Sequence, residues 1–110
     1  MSNSIRGLFS GGGTPDASTS VNSIDKITIQ TTGNASDFGD LTADNQRSGG
    51  MNNSIRGLFS GGATPNSSSA VNSIDKITIQ STGNAVDFGD YIGTAVTQAA
   101  GCSDSHGGLS

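Results

Sequence analysis

Met1 to Thr42 and Met51 to Ile92 align without a gap, and roughly three-quarters of the aligned positions carry the same residue. Asn3 to Gly12 returns unchanged as Asn53 to Gly62, and Val21 to Gln30 returns as Val71 to Gln80. Thr32-Gly33-Asn34-Ala35 and Asp37-Phe38-Gly39-Asp40 return as Thr82 to Ala85 and Asp87 to Asp90. A third, weaker match opens at the end of the sequence. Gly101-Cys102-Ser103-Asp104-Ser105 lies over Gly50 to Ser54, and Gly108-Leu109 over Gly57-Leu58. The chain therefore divides into unit 1 (residues 1–50), unit 2 (51–100) and the start of a third (101–110). A unit of this size buries little apolar surface alone and gains a core by packing against neighbours of its own kind.

The copies differ most at Asp16/Asn66, Ala17/Ser67, Thr19/Ser69 and Ser20/Ala70, a polar stretch behind a Thr-Pro step that reads as a surface loop. They diverge again after Asp40 and Asp90. Elsewhere the pattern is that of strands. Ile27 and Ile29 point to one face while Lys26, Thr28 and Gln30 point to the other, which predicts a half-buried strand. The Gly33-Asn34 pair suits a two-residue hairpin turn with positive φ, returning a short strand through Ser36 to Leu41. Leu8 and Phe9 are adjacent, so a strand there buries both faces, and the glycines from Gly11 end it. A fourth strand is expected from Arg47 to Asn53. On this reading Ile27 and Ile77 are equivalent buried positions, as are Phe9 and Phe59.

Composition agrees. Isoleucine, leucine, valine and phenylalanine supply only 21 of 110 residues, while glycine supplies 17, which suits short strands and many turns. Five basic residues against nine acidic ones leave no electropositive stripe, which argues against a nucleic-acid partner. No apolar run reaches the length of a membrane span, so no membrane partner is expected. A single cysteine, Cys102, cannot form an internal disulfide, and its alignment with Met51 reads as a small buried hydrophobe.

Little in the chain suggests chemistry. Asp37-Phe38-Gly39-Asp40 has the letters of the kinase metal motif, but the partner lysine and catalytic loop are missing. The glycine runs lack a following Gly-Lys-Ser/Thr and are no phosphate loop. Asp37 with Asp40, and Asp87 with Asp90, could offer oxygens to calcium, but two carboxylates do not specify a site, and turn capping is the favoured role. His106 stands between Ser105 and near Asp104, yet adjacent residues cannot converge as a catalytic triad does. Arg6 and Arg56 are read as structural partners of Asp25 and Asp75 or of Asp40 and Asp90. No catalytic, cofactor-binding or metal-binding residue is assigned, no cofactor is expected, and the chain is read as non-enzymatic.

From Arg47 through Ile55-Arg56-Gly57-Leu58-Phe59-Ser60-Gly61-Gly62 the unit resembles a kelch-type propeller blade, in which an arginine precedes an apolar strand closed by a glycine doublet. The tryptophan usual after that doublet is absent, and Phe38 and Phe88 stand in its place. The fuller text of the unit, which covers nearly the whole chain, is also similar to a repeat in structural and tail proteins of marine bacteriophages. These resemblances imply an all-β fold of kelch-like blades with about four short strands each, the alternative being β-repeat units stacked as a fibre. They imply a structural or adhesive module of a virion, phage tail or other extracellular assembly. The alternative is a lectin-like module binding a surface glycan through its polar loops, against which the shortage of aromatics counts. Two blades cannot close a ring, so either a longer array or a homo-oligomer is expected.

Overall fold

The computed structural model describes residues 1, 5–13, 19–46, 48–63, 70, 72–93 and 100–101. Arg47, Cys102 and His106, and most of the loops through Asp16 and Asn66, lie outside the described residues. The fold is all-β. Among the described residues seven strands run β1 (Arg6–Ser10), β2 (Val21–Thr28), β3 (Ser36–Asn45), β4 (Gly49–Asn52), β5 (Arg56–Ser60), β6 (Ser73–Thr78) and β7 (Val86–Asp90). They form two antiparallel meanders, β1-β2-β3 and β4-β5-β6-β7, one for each unit. The expected fourth strand is present as β4, and Met1 makes the corresponding pairing in unit 1. Its carbonyl accepts from the Leu8 N–H at 2.8 Å, as Met51 faces Leu58.

Identical text gives identical local pairing. Leu8 lies opposite Lys26 and Phe9 opposite Asp25, and Leu58 and Phe59 face Lys76 and Asp75 in the same way. The glycine doublets end β1 and β5 as expected, with φ of 65° at both Gly11 and Gly61, a conformation that side chains disfavour. In each copy the third strand carries a bulge. Ile24 pairs with Gly39 and Asp25 with Asp37, leaving Phe38 as an extra residue; Ile74, Gly89, Asp75 and Asp87 repeat this around Phe88. A bulge turns a side chain and its carbonyl out of the ladder.

The two-residue hairpin is not what forms. β2 ends at Thr28 and β3 begins at Ser36, so residues 29–35 make a longer connection, as do 79–85. Its tight turn sits earlier, where the Thr31 N–H donates to the Thr28 carbonyl at 3.4 Å and Ser81 to Thr78 at 3.2 Å. Gly33 takes the expected positive φ, at 159°, but Gly83 does not. The Gly-Asn pair serves another purpose, which the packing reveals.

Antiparallel neighbours share a face of their sheet. Leu8, Ile24 and Lys26 therefore lie on one face of unit 1, here termed the front, while Phe9, Asp25 and Ile27 lie on the back. The core forms between the front of unit 1 and the back of unit 2. It joins Leu8, Ile24, Phe38 and Leu41 to Phe59, Ile77, Ile79 and Ala85, with Met1 packed against them. Each unit thus buries a different face, and the expected equivalence of the copies fails. Phe59 is 5% exposed but Phe9 61%, and Ile77 is buried while Ile27 is only half-buried. The cause is the neighbour: the back of unit 2 has unit 1 against it, and among the described residues no unit covers the back of unit 1.

This asymmetry has a measurable consequence. Ile79 is fully buried at the join, whereas its counterpart Ile29 is 50% exposed. Ile79→Ala is expected to lower stability by about 2–5 kcal/mol and Ile29→Ala by less than about 1 kcal/mol in dilute solution, read from urea denaturation midpoints.

Candidate functional site

The most elaborate arrangement in the molecule is the join between the units. β3 is the edge strand of its sheet, and its bulge exposes the Phe38–Asp40 backbone. The Gly83 N–H donates to the Phe38 carbonyl at 2.8 Å and the Ala85 N–H to the Asp40 carbonyl at 2.7 Å. Two alternate donors meeting two alternate acceptors is one half of a parallel ladder. The remaining donor, the Asp40 N–H, is taken by Asn84 Oδ1 at 3.1 Å. Thr82-Gly83-Asn84-Ala85 is thus the plug that unit 2 inserts along the edge of unit 1. Gly39 makes the approach possible, since a Cβ there would lie 2.3 Å from the Gly83 carbonyl oxygen.

Side chains fix the same join. Arg6 Nη1 donates to the Ile79 carbonyl, and its guanidinium lies 5.9 Å from the centre of the Phe38 ring. Lys26 Nζ donates to Thr82 Oγ1 at 2.8 Å. The Asp75 carboxylate, buried on the back of unit 2, accepts from the Thr42 N–H at 2.9 Å and from its hydroxyl at 2.8 Å. A buried carboxylate requires such partners, and a charge-assisted bond of this kind contributes about 1.5–3 kcal/mol. Thr42→Val is therefore expected to destabilise the chain by about 1–3 kcal/mol, because it strips the hydroxyl donor from a buried charge. Equal stability of that variant and the parent would mean that the Thr42 hydroxyl contributes nothing to the join.

Among the described residues, nearly every part of this join has an unoccupied counterpart. At the front of unit 2, β7 is the sheet edge, and Gly89 repeats the φ of Gly39, 153°, with open space where its Cβ would be. Phe88 is 49% exposed where Phe38 is 1%. Arg56 and Lys76, counterparts of Arg6 and Lys26, line an open hollow of about 250 Å³ together with Ile77, Thr78, Asn84 and Val86. Lys76 Nζ lies 5.9 Å from the centre of the Phe88 ring. At the back of unit 1, the plug residues Thr32, Gly33, Asn34 and Ala35 are exposed, as are Phe9 and Asp25. Two parts are not repeated: Tyr91 stands where Leu41 does, and Ile92 where Thr42 does. Gly101, aligned with Gly50, lies directly on β4, its Cβ position 3.2 Å from Met51 Cβ.

Of the residues named from the sequence, Asp37 and Asp87 are exposed, and Asp40 serves the join through its backbone. Among the described residues no three of His, Cys, Asp and Glu gather as a metal site would require. Among those residues, too, no helix is long and apolar enough to cross a membrane. The join itself was missed from sequence, although Gly39 inside a strand is the usual sign of a bulge or a close backbone approach. Compared with family models, with curated proteins and with solved structures, the chain matches none.

Proposed function

We propose that this chain is a non-enzymatic structural or adhesive repeat module, part of a virion, phage tail or other extracellular assembly. The observation that carries the reading is the use to which the repeated text is put. Arg6, Lys26, Phe38 and Gly39 from one copy, and Thr82, Gly83 and Asn84 from the other, all act in holding one unit to the next. The unit recurs because its two faces fit each other, which is what an assembling module requires. The four-stranded meander of unit 2 and the face-to-face packing of the sheets support kelch-like blades as the finer fold; units stacked as a fibre would use the same join without closing.

The alternative, a glycan-binding lectin-like module, would place sugar in the hollow beside Arg56 and Lys76. That hollow lacks an aromatic lining residue on which a sugar face could stack. A glycan array probed with the intact chain separates the two readings. No saturable binding is expected; saturable binding to a defined sugar, lost in Lys76→Ala, would replace the structural reading with the lectin.

A further inference from the structure

We propose that the front of unit 2 is a socket for the back of unit 1 of a second copy of this chain, so that chains join head to tail through a repeat of their internal join. The inference rests on the structural reading above and gives it a partner and a surface. Within one molecule the front of unit 1 already binds the back of unit 2, which fixes both the fit and its direction. The open socket and the open plug present the same text. Phe88-Gly89-Asp90 repeats Phe38-Gly39-Asp40 with the same bulge, and Thr32-Gly33-Asn34-Ala35 repeats Thr82 to Ala85.

The repeat also indicates what fills the socket. The Thr-Gly-Asn-Ala plug occurs at 32–35 and 82–85, and the second of these is engaged within the chain. The first, at 32–35, lies exposed, so a second copy of the chain presents it ready to enter the socket. In the joined state the Gly33 N–H donates to the Phe88 carbonyl, the Ala35 N–H to the Asp90 carbonyl, and Asn34 Oδ1 accepts from the Asp90 N–H. Phe88 and the incoming Ile29 and Phe9, all exposed in one chain, leave water together. Charge agrees with this pairing, with Arg56 and Lys76 on the socket and Asp25 on the incoming back. Ile92, replacing Thr42, faces that Asp25 without a hydroxyl to offer, so the join between chains is weaker than the one inside a chain and reversible.

Such a contact is heterologous: the two surfaces differ, and each chain keeps one of each. That property gives a sharp test with two blocked variants. Ala35→Glu spoils the plug by placing a carboxylate against Asp90, and Phe88→Asp spoils the socket. Both side chains are exposed in the single chain, so neither change disturbs its core. In sedimentation velocity over rising concentration, the parent chain is expected to grow beyond a dimer, while each variant alone stays monomeric. An equimolar mixture of the two is expected to form dimers and stop there, since it holds one sound plug and one sound socket. The mixture also shows that both variants are folded. A parent chain that stays monomeric throughout would overturn head-to-tail joining, as would variants that associate like the parent or a mixture that forms no dimer. Sugar binding on the glycan array bears on the structural reading alone, so the two ideas fail by different results.

Discussion

Phe38→Ala is expected to destabilise the chain by about 3–5 kcal/mol, and Phe88→Ala by less than about 1 kcal/mol, although the two residues sit in the same words of the sequence. Phe38 is enclosed by Leu8, Ile24 and Leu41 of its own unit and by the Ile79 and Ala85 side of the next, so truncation leaves a cavity that the two sheets cannot close. Among the described residues no unit lies in front of Phe88, which loses mainly its contact with Lys76. For a domain whose whole stability is about 5–15 kcal/mol, the first change is close to disabling and the second is minor. Urea denaturation at low protein concentration measures both. Equal losses would mean that the units fold independently and the shared core is not a core.

The second large effect lies at Gly39. Any side chain there meets the backbone of Gly83 and Asn84, whose nearest atom would be 2.3 Å from the new Cβ, and neither can retreat without breaking its bonds to β3. The positive φ adds its own cost, on the order of 1–3 kcal/mol for a residue other than glycine. Gly89→Ala bears that backbone cost alone in dilute solution, because open space surrounds its Cβ position. Gly39→Ala bears both, and is expected to be the more damaging by about 1–3 kcal/mol, the usual penalty for overpacking. The difference between the two variants is a measure of the join, with the backbone contribution cancelled. Were Gly89→Ala as harmful as Gly39→Ala, the close approach at Gly39 would carry no weight in stability.

Much of this architecture was legible in the sequence. The alternation around Ile27, the glycines after Ser10 and Ser60, and the repeat itself placed the strands, because these depend on local chemistry that each copy carries whole. What could not be read was which face each copy buries. Phe9 and Phe59 have the same neighbours in sequence, and burial is decided by the neighbouring unit, which differs. The expectation that a Leu8-Phe9 strand buries both faces describes a unit flanked on both sides, a situation that neither unit has in one chain. The Gly-Asn pair misled for a related reason. It carries the composition of a hairpin turn, but its second copy, Gly83-Asn84, is used as a plug, with Asn84 completing a ladder that no local rule foretells. The first Asp-Phe-Gly-Asp run, read from the sequence as turn capping, is the bulge and close-approach glycine on which the join depends.

Amide hydrogen exchange at four residues tests the two-faced unit most directly. Gly83 and Ala85 donate to the Phe38 and Asp40 carbonyls, while Gly33 and Ala35, identical in local sequence, lie exposed. At low concentration Gly83 and Ala85 are expected to exchange slowly and Gly33 and Ala35 at nearly the rate of an unstructured chain. As concentration rises, Gly33 and Ala35 are expected to gain protection together, in step with the growth of mass seen by sedimentation. Rapid exchange at all four, or protection at Gly33 and Ala35 that matches Gly83 and Ala85 in dilute monomer, would contradict a front-to-back join between the units.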